Sequence, residues 1–304
     1  MMASATEAAI ASSQWLGIPI AVAGAVLLSL GTLFQHRGVS RAGWQQGVAG
    51  GSLSRLVFRP AWLGGTLMLG AAIALQLTSL RFSPLIVVQP IGALALVVTT
   101  LVTAHISGRR PGRRALTAVI LCVGGVGAFV IVAAVWATDV QISDGQLLSI
   151  LALLGFTLAV IVPVFTSLRR RVNAVSYTAG ARVLFGFVAA LAKTVIARIF
   201  EGHFEWLSLA SLTGLVVAAV FGSYLVQSAH SRGSAELVVA GLTVIDPLVA
   251  VTIGITVLGE AGTAPPVAVA AFILAGVFAV AGVLLLSTVR DKPHTRPGRL
   301  PPAG

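Results

Sequence analysis

The chain has 304 residues, of which 57% are hydrophobic and only 10% are charged, and its formal net charge is +11. A soluble domain carries about 25% charged residues, so this composition excludes a soluble globular protein and indicates an integral membrane protein. In a soluble protein the positive charge would suggest nucleic-acid binding. Here most of it lies in short loops beside apolar segments, where it reports topology. We therefore expect membrane lipid as a partner and no nucleic acid.

Nine segments are apolar enough to cross the hydrocarbon core of a bilayer, which takes about 20 residues of helix. Four lie in the first half of the chain and five in the second: 16–36, 60–80, 84–104, 115–137, 147–168, 176–199, 206–228, 236–258 and 267–289. Tryptophans stand at segment ends, as interfacial aromatic residues do: Trp15, Trp62, Trp136 and Trp206. The sequence thus predicts an all-α integral membrane protein with about nine transmembrane helices in a single membrane domain, residues 1–304.

The loops between these segments alternate in charge. Arginine-rich stretches lie at 37–59, 105–114 and 169–171, and a basic, proline-rich tail follows at 290–304. Acidic residues lie in the intervening loops: Asp139, Asp144, Glu201, Glu205 and Glu260. By the positive-inside rule this predicts an external N-terminus and a cytoplasmic C-terminus, with Arg81 on the wrong side. The tail is expected to be disordered. The 37–59 loop is too short and too polar to span, and whether it re-enters the membrane stays open.

Two further features concern the cellular location. No basic stretch precedes Leu16, which argues against a cleaved signal peptide. Arginine greatly outnumbers lysine, and alanine, valine and glycine are abundant, a usage typical of GC-rich bacterial genomes. We therefore expect a multi-pass protein of a bacterial plasma (inner) membrane, for which a homodimer is one assembly the sequence allows.

Segment 84–104 carries unusual residues for a membrane helix. Gln89, Pro90 and Gly92 all fall inside this apolar run. Proline frees a backbone carbonyl, and a glutamine in hydrocarbon costs free energy unless it is paired or hydrated. Transporters build solute sites from helices that are broken in this way near mid-membrane.

The second half of the chain loosely repeats the first. In segment 236–258, Gly241 stands where the first half has Pro90, and Asp246-Pro247 is expected in mid-helix. At the same shift of 151 residues, Gly108 falls on Gly259. The predicted topology makes the matching segments run in opposite directions. We therefore predict two inverted repeats, 16–137 and 147–289, in a four-plus-five arrangement.

Charged residues inside apolar segments are functional candidates, because placing them in hydrocarbon is costly. Arg182 and Lys193 lie eleven residues apart on one segment. This spacing is about three helical turns, so both are expected on nearly the same face, roughly 16 Å apart. Asp246 is the single acid expected at mid-membrane. We predict that these three residues contact a solute, together with three neutral amides: Gln76, Gln89 and Gln227.

Each candidate also has a structural interpretation. Asp246 would equally form an ion pair with Lys193 or Arg182 that holds the two halves together. Arg182 lies close enough to the start of its helix to snorkel to the cytoplasmic headgroups. Gln76 and Gln89 would serve equally well as hydrogen-bonding groups between helices.

These residues also carry a resemblance to a known family. The run LGIPIAVAGAVLLSLGTLFQHRGV, followed by Trp62, Leu75-Gln76 and RFSPLIVVQPIGALALVV, is similar to the NIPA-like / EamA-like branch of the drug/metabolite transporter (DMT) superfamily. Residues 257–260, VLGE, resemble the LGE motif of that superfamily, whereas Arg109 stands where the first repeat usually has glutamate. The resemblance implies a DMT-type helical bundle that works by alternating access, with one helix fewer than larger members have.

Three functions follow from these observations. A permease for a small polar, anionic metabolite is favoured because cations outnumber the single acid in the membrane interior. The NIPA-like branch is associated with magnesium transport, for which Asp246 and Glu236 would supply carboxylate oxygens to Mg²⁺. A flippase for a phosphate-bearing lipid is the third alternative. The sequence has no CxxC, HExxH, P-loop or nucleophile elbow, so we expect neither an enzyme nor a cofactor.

Overall fold

The structure is a computed structural model, and it describes residues 2–40, 60–106, 108, 112–138, 141–167, 172–202, 205–230 and 244–290. In these ranges the backbone is helical and contains no strand. The helices are α1 (Met2–Ser40), α2 (Pro60–Phe82), α3 (Leu85–Gly92), α4 (Leu94–Ile106), α5 (Arg113–Trp136), α6 (Asp144–Ser167), α7 (Ala174–Glu201), α8 (Trp206–His230), α9 (Ile245–Thr256) and α10 (Pro266–Arg290).

The described ranges contain eight helical spans that are long and apolar enough to cross a membrane. They match eight of the nine predicted segments: Trp15–Gln35, Pro60–Phe82, Leu85–Ile106, Arg113–Trp136, Asp144–Ser167, Ala174–Glu201, Trp206–Ala229 and Pro266–Leu286. Of the ninth, 236–258, the structure describes the 12-residue helix α9, and 236–243 lie outside the described residues. The chain is therefore an all-α, multi-pass membrane protein.

Small residues allow two antiparallel helix pairs to pack with their backbones close together, as is common in membrane proteins. In the α1–α2 pair, a Cβ atom added to Gly65 would lie 2.8 Å from the carbonyl oxygen of Gly31. In the α5–α10 pair, a Cβ atom on Gly125 would lie 2.3 Å from the amide nitrogen of Ala279. A side chain at these positions would force the helices apart.

Helix α3 occupies the centre of the bundle. Its residues Leu85 to Val88 and Ile91 are at most 2% exposed, because α1, α5, α7 and α9 surround the helix. Large apolar side chains on the outer helices, such as Leu67, Phe156 and Val267, are instead exposed, as residues that face lipid are. A half-helix that ends inside the bundle is thus deeply buried.

The third span is broken at Ala93. Helix α3 ends at Gly92 and α4 begins at Leu94, and Pro90 lies in the last turn of α3. Pro90 has no N–H to donate one turn back, and the amide of Ala93 donates to the carbonyl of Pro90 at 3.1 Å. The break therefore leaves backbone polar groups near the middle of the span.

Asp246 and Pro247 lie in the first turn of α9, which begins at Ile245. The expectation of a mid-helix position for this pair is wrong for the helix that the structure describes. Proline is tolerated in a first turn because its missing N–H would have no helical partner there. Gly241 belongs to 231–243, outside the described residues.

Candidate functional site

A cavity of about 500 Å³ lies among α1, α2, α3, α4, α7 and α9. Its wall is largely apolar, and a small set of polar side chains contributes to it: Ser29, Thr32, Gln76, Gln89, Thr99, Arg182 and Asp246. Small-molecule sites have this size and this mixture of apolar wall and few polar groups. We call it the central cavity.

The central cavity brings together four of the six predicted solute-binding residues: Gln76, Gln89, Arg182 and Asp246. The predicted helix-breaking residues Gly92 and Pro247 line it as well, whereas Pro90 lines a smaller apolar cavity beside it. Gln227 and Lys193 lie elsewhere. The side chain of Gln227 is exposed on α8 and does not line the central cavity.

Arg182 and Asp246 form an ion pair across the cavity wall. Nη1 of Arg182 donates to Oδ2 of Asp246 at 3.2 Å, and the two side chains are 20% and 26% exposed. The second carboxylate oxygen, Oδ1, is buried and has no hydrogen-bonding partner within the described part of the chain. Arg182 is thus engaged with an acid of α9 instead of reaching for headgroups along its own helix.

A glycine brings the two partners together. Gly186 lies one turn after Arg182 on α7, and a Cβ atom there would be 2.6 Å from Cβ of Val249 and 3.0 Å from the carbonyl oxygen of Asp246. The absence of a side chain lets the first turns of α9 pack directly on α7. This close packing sets the distance between the guanidinium and the carboxylate.

Hydroxyl groups from α1 and α4 form another part of the wall. Oγ of Ser29 and Oγ1 of Thr99 lie 2.8 Å apart. Thr99 donates its own proton to the carbonyl of Ala95, so Ser29 donates to Thr99. Thr32 bonds back to the carbonyls of its own helix. These groups offer a solute mainly hydrogen-bond acceptors.

Lys193 lies outside the central cavity, contrary to the expectation that it shares a solute with Arg182. Its side chain is buried, and Nζ donates to the carbonyl oxygens of Leu80 at 2.9 Å and Ser83 at 3.0 Å. It lines a separate cavity of about 270 Å³, together with Arg81 and Phe200, which we call the Lys193 cavity. The ammonium therefore binds the backbone at the end of α2.

Glu260 has an equally direct role that the sequence analysis did not assign. Its buried carboxylate accepts hydrogen bonds from the amides of Leu85 at 2.8 Å and Ile86 at 2.9 Å. These amides open α3, where a negative charge is favoured by the helix dipole. Gly259, with φ of +72°, turns the chain just before this acid. The signal in the sequence is one acid in the otherwise uncharged loop 257–264.

The turn between α2 and α3 is thus held by opposite charges from two other parts of the chain. Along α2, Gln76 lines the central cavity, whereas Leu80 one turn later lines the Lys193 cavity. Along α7, Arg182 and Lys193 divide in the same way. The end of α2 therefore runs from the central cavity to the cavity that Lys193 lines.

A second set of charges lies at the end of the bundle that contains the Lys193 cavity. The buried guanidinium of Arg198 pairs with Asp144 at the start of α6 and with Glu205, which is 3.9 Å away and precedes α8. Arg81, expected on the wrong side of the membrane, stacks over the ring of Phe200 at 3.3 Å from its centroid. These contacts join the ends of α2, α6, α7 and α8.

The magnesium alternative gains no cluster of His, Cys, Asp or Glu ligands from the described residues. In those ranges, no group of three or more His, Cys, Asp or Glu side chains lies close enough to hold a metal ion. Glu236, the second acid of that hypothesis, lies outside them. Asp246 is instead engaged by Arg182.

Comparison with known proteins gives one relative and no activity. No family model matches the chain, and no solved structure matches it significantly. An uncharacterized protein of Corynebacterium glutamicum is 25% identical in an alignment of 264 residues that covers 82% of this chain and 86% of that protein. The likeness extends over most of both chains. What the fold itself defines is a multi-pass helical membrane protein with an interior cavity whose largely apolar wall carries a few polar side chains.

Proposed function

We propose that the chain is a secondary transporter of the DMT type that moves a small anionic metabolite through the central cavity by alternating access. One observation carries this proposal: a cavity of about 500 Å³ inside a helical membrane bundle, with an arginine, an aspartate and two glutamines at a broken helix. A concave, largely apolar cavity with a few convergent polar groups is the usual form of a small-molecule site. Broken helices at such a cavity are a recurring feature of transporters.

The packing of the helices supports the inverted-repeat part of the proposal. Helix α1 packs along α2, and in the second half α7 packs along α8. Gly108 and Gly259, which the repeat aligns, both have positive φ, at +62° and +72°. Each glycine follows the helix that the repeat would pair with the other, α4 and α9.

The charges at the helix ends support the proposed orientation. Arg113 and Arg114 begin α5, whereas Asp144 begins α6 and Glu205 immediately precedes α8. The positive-inside rule then favours an external N-terminus. The proposed location in a bacterial plasma membrane rests instead on the excess of arginine over lysine and the abundance of alanine, valine and glycine.

The argument for an anionic solute rests on Arg182 alone. With Lys193 outside the central cavity, the charged side chains that line it within the described part of the chain are one arginine and one aspartate. A guanidinium presents five N–H donors, and the one that binds Asp246 leaves others for a carboxylate or phosphate. Gln76 and Gln89 would bind the neutral polar groups of the same solute.

The test is uptake and thermal stabilisation with the purified protein in liposomes. The probes are pyruvate, succinate, glucose 6-phosphate, inorganic phosphate and Mg²⁺. We expect saturable uptake of an anion that Arg182→Gln abolishes. Gln76→Ala should weaken this uptake, because Gln76 lines the central cavity. Gln227→Ala is the matched control and should leave uptake unchanged, because Gln227 does not line it.

Three other results would redirect the assignment. Uptake that survives Arg182→Gln would exclude an anion site at this residue. A saturable Mg²⁺ flux that Asp246→Asn abolishes would instead favour the magnesium alternative. No flux of any probe, with movement of a fluorescent phospholipid between leaflets, would favour a flippase.

A further inference from the structure

The Arg182–Asp246 pair lines the central cavity and is joined by a single contact. One guanidinium nitrogen meets one carboxylate oxygen at 3.2 Å, a monodentate arrangement although both groups are able to bind in pairs. Oδ1 of Asp246 has no partner in the described ranges. Both side chains are partly exposed, at 20% and 26%. A structural ion pair in hydrocarbon is expected to be enclosed and fully hydrogen-bonded.

Among the residues that the structure describes, no other charged side chain lines the central cavity. Helix α9 packs mainly on α7 and α3. On α7, Arg182 faces Asp246, while Lys193 is turned to the carbonyls of Leu80 and Ser83. On α3 the polar group at the cavity is the neutral Gln89, and α1 and α2 contribute hydroxyls and Gln76. Glu260 lies beyond the far end of α9, on the amides of α3.

This balance changes when an anion enters. A solute carboxylate or phosphate that binds Arg182 places a second negative charge beside Asp246, with one cation to serve both. Two anions in a site of low dielectric cost far more than one, and the cost is removed when one of them takes up a proton. The solute is held by the free N–H groups of the guanidinium, so the proton goes to Asp246.

We propose that the solute anion and Asp246 compete for Arg182, and that each solute anion bound brings one proton onto Asp246. The proton comes from solvent, and it converts the carboxylate into a neutral acid that releases the guanidinium. Solute and proton then cross together, with no net charge added to the site by a monoanion. This inference rests on the proposed function, since it assigns Arg182 as the anion-binding residue of that site.

The experiment measures proton uptake on binding. Wild-type protein in detergent is titrated with pyruvate, succinate and glucose 6-phosphate, in calorimetry with two buffers of different ionisation enthalpy. The protonation of each probe alone is measured and subtracted. We expect one proton taken up per solute bound, and an affinity that rises about tenfold for each unit of falling pH while Asp246 is ionised in the free protein.

Asp246→Asn is the matched variant, because an amide imitates the neutral acid in size. It should bind the same probe with no proton uptake and with an affinity independent of pH. Arg182→Gln should bind none of the probes.

The outcomes separate the two proposals. Binding by the wild type without proton uptake would overturn the proposed proton uptake by Asp246 and leave the anion transporter standing. A folded Asp246→Asn protein that no longer binds the probe, checked by its thermal unfolding, would also overturn it, because Asp246 would then be part of the binding site. If the wild type binds none of the probes, the proposal of an anionic solute is overturned, and the proposed proton uptake is overturned with it.

Discussion

Lys193 and Glu260 bind the two sides of one turn. The Lys193 ammonium contacts the carbonyls that end α2, and the Glu260 carboxylate contacts the amides that begin α3. Each charge has the sign that the neighbouring helix end favours: a cation at a C-terminus and an anion at an N-terminus. The two residues thereby hold the turn between α2 and α3, at the end of α2 that lines the Lys193 cavity.

Replacing Lys193 with methionine should destabilise the protein without removing its solute site. The change keeps the apolar stem but leaves the carbonyls of Leu80 and Ser83 without this donor, which should lower the free energy of unfolding by about 2–4 kcal/mol. Thermal unfolding in detergent measures this loss. Binding of an anion that stabilises the wild type should persist. A stable Lys193→Met protein that has lost binding would instead return Lys193 to the solute site.

Glu260→Gln should weaken the start of α3. A glutamine side chain offers one acceptor oxygen, so one of the two amides, Leu85 or Ile86, loses its partner, and the negative charge is lost as well. We expect a loss of about 1–3 kcal/mol in unfolding free energy. Thermal unfolding in detergent measures this loss against the wild type. An unchanged melting temperature in Glu260→Gln would contradict the role of Glu260.

Gly186→Ala should separate α7 from α9. The added methyl group would lie 2.6 Å from Cβ of Val249, so the helices must move apart, at a cost of about 1–3 kcal/mol. Arg182 and Asp246 lie about one turn before this contact, on α7 and α9 respectively. We therefore also expect anion binding to fall by about tenfold or more.

Gly155 of α6 supplies a matched control for this substitution. A Cβ atom there would meet nothing within 4 Å, so Gly155→Ala should be neutral or slightly stabilising. Melting temperature and calorimetric binding are measured for both variants. Binding that is unchanged in Gly186→Ala would show that the ion pair does not depend on this contact.

The orientation of the chain is open to a labelling test. Cys122 is buried and is the single cysteine, so it should react slowly with a membrane-impermeant maleimide. Gln141 and Arg114 are exposed, one before α6 and one at the start of α5. Gln141→Cys should react in intact cells, whereas Arg114→Cys should react only after permeabilisation. The reverse result would invert the proposed topology.

The membrane helices were predictable because their signal is local. A span needs about 20 apolar residues whatever surrounds it, so eight of the nine predicted segments match described helices within a few residues. The sequence also singled out Gln89, Arg182 and Asp246, since polar residues in such a span must have partners or water. These three residues meet at one cavity.

The partners of the charged residues were decided by the tertiary structure. The spacing of Arg182 and Lys193 on one helix predicted a shared face, but it carried no information on which neighbouring helix ends each one meets. Lys193 meets the carbonyls at the end of α2, whereas Arg182 meets an acid 64 residues away in sequence. Glu260 lay in a predicted loop, and it contacts amides that precede it by 174 and 175 residues. Such long-range pairing depends on how the helices pack. Sequence by itself therefore determined which segments enter the membrane and which polar residues need partners, while packing alone decided which of those residues face a cavity and which hold the backbone.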